Sequence, residues 1–231
     1  MTMAHAIGRT LLAVAALAGP AAFLPAQAET AAWPDTFLAR LEATALVQTL
    51  NGEILAASSA TLALDKWCGD HRLAGTGEAK VVAHLIPGAK EQATPEQRQR
   101  LGVGPDEPIR YRRVELVCGD HLLSVADNWY VPSRLTPEMN HLLETTDTPF
   151  GRAVLALNFT RRTFAATVLW RPLPDAWETR PVPRFAGGAS MPIPQALFEH
   201  RAVLYTKDGL AFSEVRETYQ RPLLDFPLPG P

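Results

Sequence analysis

IRYRRVELVCGDHLLSVADNWYV, residues 109–131, reads as two β-strands folded about a tight turn. Ile109 to Cys118 is one strand and Leu122 to Val131 its returning partner. Gly119-Asp120 between them is ordinary hairpin-turn chemistry. A second hairpin is predicted further on, with Arg201 to Thr206 and Leu210 to Tyr219 joined around Lys207-Asp208-Gly209. The segments before the first hairpin read differently. Pro34-Asp35-Thr36 opens a helix with Asp35 as its N-cap, and Leu38, Leu41, Ala45, Leu46, Leu50 and Ile54 recur at helical spacing. Another helix runs from Ser58-Ser59 through Trp67 to about Gly69, and Val81 to Ile86 is a short strand halted by Pro87-Gly88. Thr94-Pro95-Glu96-Gln97 is a capping box with proline in the first turn, and Thr136-Pro137-Glu138 repeats the cap-plus-proline device for a helix to about Thr146. Phe164, Ala166, Val168 and Trp170 alternate with Ala165, Thr167 and Leu169, as in a strand covered on both faces. Helices early, hairpins late and no strand–helix–strand alternation predict an α+β domain: an antiparallel sheet with helices packed on one side.

The remaining composition bounds the function. A chain of 231 residues suffices for one compact core. A net charge of -2 leaves no basic surface for nucleic acid. Residues 1–28 read as a secretory leader: Arg9 is the positive start, Leu11 to Leu24 the apolar run, and Ala26-Gln27-Ala28 the cleavage signal. Cleavage after Ala28 predicts a periplasmic or secreted protein of residues 29–231 with no membrane anchor left. It carries a proline-rich loop over 171–194 and a proline-rich, irregular tail over 222–231. Cys68 and Cys118 lie in two copies of Cys-Gly-Asp-His. Two separate thiols, a disulfide, and a zinc site of two Cys and two His all fit that pattern. The histidines elsewhere show no ligand spacing.

Several motifs carry a resemblance. Arg113 on a strand, a hairpin returning to Val131-Pro132, the helix to Thr146, and then Thr148-Pro149-Phe150-Gly151-Arg152 follow in order and spacing. Phe212-Ser213-Glu214-Val215 is a later strand with a glutamate among apolar residues, and Ser59-Ala60-Thr61 starts a helix upstream. Together these resemble the chorismate pyruvate-lyase family over residues 55 to 219. The resemblance implies a twisted antiparallel sheet enclosing a buried pocket under helical flaps. It implies a reaction releasing pyruvate and 4-hydroxybenzoate from chorismate, with no metal or cofactor. Arg113 would hold the aromatic carboxylate, Glu214 would act as acid and base, and Phe150-Gly151 would shape the pocket floor.

Those residue types suit the chemistry. A planar guanidinium pairs with a carboxylate through two hydrogen bonds, and an enclosed carboxyl group moves protons as the ring aromatises. Arg152, Arg161 and Arg162 are further candidates for the border of an anion site, and Asp127-Asn128-Trp129-Tyr130 for a pocket wall. Two positions depart from the family pattern: Asn128 stands where a second arginine is usual, and Ala60 where a larger Met or Leu packs on the ring. Both remain substrate-binding candidates. The reading is therefore a lyase acting on chorismate or a related small anionic cyclic or aromatic acid. Its alternative is an exported binding protein of the same fold, like the effector-binding domains of certain bacterial regulators, and a third possibility is a structural envelope protein.

Overall fold

A computed structural model describes residues 32–226 apart from 182, 183, 186 and 187. The expected leader, and the end of the tail from residue 227, lie outside the described residues. Two helices come first, α1 (Phe37–Ala56) and α2 (Ala60–Asp70), followed by β1 (Val82–Leu85) and α3 (Pro95–Leu101). The first hairpin is β2 (Arg110–Cys118) and β3 (His121–Tyr130), and α4 (Pro137–Thr145) and the single turn α5 (Phe150–Ala153) follow it. The chain ends in β4 (Thr160–Val168), β5 (Ala196–Tyr205) and β6 (Ala211–Gln220), with a 3-10 turn at Arg221–Leu224 opening the tail. All six strands form one antiparallel sheet in the order β1-β2-β3-β6-β5-β4. The fold is the expected α+β class.

The main core lies between one face of this sheet and the two long helices. Ala43, Val47, Leu50 and Ile54 of α1 and Leu64 and Trp67 of α2 pack with Val114, Leu116, Ala126, Phe198 and Tyr219. A second cluster under α4 and α5 joins Met139, Leu143 and Phe150 to Tyr130, Phe159, Leu204 and Phe212. The short α3 is an addition on the opposite face, where Leu101 meets Val131 and Val203. No helix among the described residues is long and apolar enough to cross a membrane.

Local chemistry corrects some expectations. Thr36, not Asp35, caps α1, accepting from the Ala39 N–H, because Asp35 is engaged with Arg40. The capping box at Thr94 is present, with both reciprocal hydrogen bonds. β4 is an edge strand rather than a covered one: Phe164 is 45% exposed, and the strand begins four residues earlier, at Thr160. Cys68 and Cys118 are joined in a disulfide, with Cα atoms 6.4 Å apart, which lies in the usual range for such a bond. The pairing ties the C-terminal end of α2 to the end of β2.

Candidate functional site

Alternation along the strands decides which side chains can meet, since successive residues point to opposite faces. On the helix-covered face, Val114 and Leu116 of β2, Ala126 and Asn128 of β3, Leu204 of β5 and Val215 and Glu217 of β6 form a floor, with Phe159 and Arg161 beside them. Ser58 to Thr61 at the start of α2 and Phe150-Gly151 of α5 form the roof. The space between is about 30 Å³, room for about two water molecules. The two halves of the roof touch. A Cβ on Gly151 would lie 2.7 Å from Ser59 Oγ and 3.3 Å from Thr61 Oγ1, so any larger residue there would force the Ser59 hydroxyl to move.

The polar groups in this apolar shell are few and incompletely paired. The Arg161 side chain is 3% exposed, and its Nη2 donates to Glu217 Oε2 at 2.7 Å. Its Nε and Nη1 are buried without a well-aligned hydrogen bond, although the Tyr219 hydroxyl lies close, and Nδ2 of Asn128 is buried without a partner. Burial alone would lower the Arg161 guanidinium, but the Glu217 carboxylate and Tyr219 hold it above its ordinary value. Glu217 also accepts from the Tyr219 hydroxyl at 3.0 Å. Burial, and then the charge of Glu217, push that phenol well above the usual tyrosine range. His200, behind them, is lowered to about 4 by burial and then by Arg161. It is therefore neutral at pH 7, with Nε2 2.7 Å from Asn51 Oδ1.

The start of α2 adds donors. Ser59 is its N-cap residue yet makes no side-chain capping bond. The first N–H groups of any helix have no partner inside the helix. They and the positive end of the helix dipole thus stand at the same cavity as Nε and Nη1 of Arg161. Buried donors left unpaired are costly, and here the residues that carry them line one small cavity. That arrangement is complementary to a small anion.

The sequence candidates divide between this cavity and the rest of the molecule. Ala60, Asn128, Phe150 and Gly151 line it, and so does Arg161. Arg152 does not: it holds α2 near α5 by donating to Asp65 Oδ2 at 2.7 Å and to the Val81 carbonyl at 2.9 Å. Arg113 and Glu214 are on the outer face, which corrects the expectation that both look into one pocket. Arg113, 39% exposed, pairs with Asp127, which also accepts from Tyr111 and Arg216. Glu214 is fully buried beneath α3, where Arg100 grips both its oxygens at 2.7 and 2.9 Å and Gln97 and Arg201 add weaker contacts.

Glu214 thus fastens α3 to β6 and is remote from the cavity. Glu214→Gln is expected to lower stability by about 2 kcal/mol, the scale of losing charged hydrogen bonds, and to leave ligand affinity unchanged. Urea unfolding beside a binding titration checks this; weakened binding at full stability would contradict the assignment. The residue that sequence reasoning missed is Glu217, three positions on. Val215 and Glu217 share a face with the inward Asn128 through the β3–β6 pairing, which no residue in the sequence announced.

No family model matches the sequence. The uncharacterized protein y4mC of Sinorhizobium fredii (strain NBRC 101917 / NGR234) is 52% identical over 198 residues, covering 85% of this chain and 83% of that protein. Among solved structures, PhnF from Mycobacterium smegmatis is similar with a TM-score of 0.46 and 16% identity, over 77% of this chain and 70% of that one. The effector domain of the same protein gives 0.44 and 17%, over 71% and 89%. A GntR-family transcriptional regulator from Enterococcus faecalis V583 gives 0.40 and 15%, over 64% and 99%.

Proposed function

We propose, for a chain that belongs to one family with the Sinorhizobium fredii protein y4mC, that it binds a small anionic ligand in the cavity roofed by α2 and α5. The observation that carries this reading is Arg161: a buried guanidinium with two nitrogens lacking a well-aligned hydrogen bond, lining the same cavity as the uncapped start of a helix. Arg161 and the α2 N–H groups take the anion's oxygens, and Asn128 Nδ2 supplies a further donor. Phe150, Phe159 and Leu204 offer the apolar walls that suit a cyclic or aromatic body.

One feature favours lyase chemistry as a second reading. Glu217 brings a carboxylate into the same cavity, where it could assist proton movement during elimination of pyruvate from chorismate. One experiment separates the two. Purified protein is titrated with benzoate, 4-hydroxybenzoate and chorismate by calorimetry, and the chorismate sample is assayed for 4-hydroxybenzoate. Binding without turnover is the expected result. Release of 4-hydroxybenzoate by the wild type and its loss in Glu217→Gln would install the enzyme reading. No binding of any of the three would count against both.

The same proposal places the protein outside the cytoplasm. The leader-like residues 1–28 and the Cys68–Cys118 bond support that, since disulfides persist in oxidising compartments. Intact-mass analysis of protein from its native cell checks both at once. The expected mass begins at Glu29 and lacks two hydrogens; a reduced chain that retains its first residues would refute it.

A further inference from the structure

Arg112 precedes the arginine that the resemblance selected and stands on the inner face of β2, yet it is not part of the cavity wall. The residue is 4% exposed. Nε donates to the Leu143 carbonyl at 2.9 Å and Nη2 to the Thr148 carbonyl at 3.0 Å. Nη1 is buried and has no partner. Among the described residues no carboxylate pairs with it, although Arg110 and Arg113 on the same strand each have one. A buried cation hydrogen-bonded to neutral acceptors alone, with the Asp147 carboxylate near but not in contact, is only partly compensated, an arrangement that favours a counter-ion. Burial accordingly pulls this guanidinium below the usual arginine value.

The same residue forms part of a second cleft of about 340 Å³, walled also by Leu85, Arg110, Tyr130, Leu143 and Glu144. Arg110 and Glu144 are half-exposed and pair with each other. Two guanidinium groups against one carboxylate leave these walls with a net positive charge. We propose that this cleft is a second binding site, separate from the first, for a small molecule bearing an oxyanion, either a carboxylate or a phosphate group, which Arg112 neutralises. The cleft has the volume of a molecule rather than of a bare ion. Leu85 and Leu143 offer it apolar contact and Tyr130 an aromatic one. Glu144 is the resident competitor, an anion of the protein's own already held in the cleft by Arg110.

Backbone amide chemical shifts of the full chain, titrated with inorganic phosphate and with acetate at ionic strength held constant with sodium chloride, test the proposal. Saturable shifts at Leu85, Arg112 and Glu144 are expected. Glu144→Gln should tighten the fitted affinity by about threefold, the scale of one exposed ion pair, and Arg112→Met should abolish the response. Arg161→Met should leave it intact, which keeps this site distinct from the first cavity. A stronger response to phosphate marks a phosphate monoester as the ligand class, and a stronger response to acetate a carboxylic acid. No saturable shift with either probe, in the wild type and in Glu144→Gln, overturns the site. Should Arg112→Met fail to fold, Glu144→Gln decides alone: an unchanged affinity refutes the proposal.

Discussion

Replacing Arg161 with methionine is expected to abolish binding of 4-hydroxybenzoate and to lower stability by about 3–5 kcal/mol, the usual cost of stranding one member of a buried ion pair. The two losses have different origins. Binding fails because Nε and Nη1 are gone. Stability falls because Glu217, 9% exposed at its side chain, loses its cation and retains only the Tyr219 hydroxyl. The double variant Arg161→Met with Glu217→Gln separates them. It should regain much of the lost stability, because no charge is then left unpaired, and it should still fail to bind. Calorimetric titration and chemical unfolding on the three proteins make the comparison. A single variant that binds within about threefold of the wild type, less than 1 kcal/mol, would show that the anion is held elsewhere.

Reducing the Cys68–Cys118 bond should lower stability by about 4 kcal/mol, which chain-entropy reasoning assigns to a cross-link across 50 residues. For a domain of this size the shift in Tm is roughly 8–16 °C. The loss should extend to ligand affinity, because the bond anchors the helix whose other end, Ser59 to Thr61, roofs the cavity. Scanning calorimetry with and without a phosphine reductant measures the first effect and titration the second. The variant with both cysteines changed to serine should melt at the reduced protein's temperature and ignore the reductant. A wild type that ignores the reductant too would mean that the thiols are unpaired in solution.

Helices and hairpins were legible where local chemistry acts alone. Proline and threonine at residues 94–95 and 136–137 start α3 and α4, and Gly119-Asp120 turns β2 into β3. The site was legible only in its roof and in Asn128 and Arg161, because two β-bulges change which residues face inward. Counting from the first turn pairs Val117 with Leu122, which would set Arg113 opposite the inward Ala126. The register instead shifts between Leu116 and Val117, so Arg113 meets Asp127 on the outer face. The second hairpin repeats the event. Counting from Tyr205 and Ala211 would set Glu214 opposite Ala202 on the inner face, but the shift between Leu204 and Tyr205 sets it opposite Val203 instead. A bulge inserts a single residue and exchanges every side chain beyond it between faces, and no residue type in either hairpin announces it. The disulfide was equally unreadable, because two copies of Cys-Gly-Asp-His carry no information about distance in space.

The close approach of α2 and α5 over a small cavity also has a consequence in time. A space of about 30 Å³ admits no aromatic acid while Gly151 rests on Ser59, so under the binding reading only molecules with α2 and α5 parted can take up ligand. The measured affinity is then the intrinsic one reduced by the fraction of molecules that are open. The rate of uptake levels off at the opening rate as ligand concentration rises, instead of climbing in proportion to it. Once the roof closes over its occupant, escape has to wait for the same parting, so a modest affinity and a long residence time belong to the same contact between a glycine and a serine.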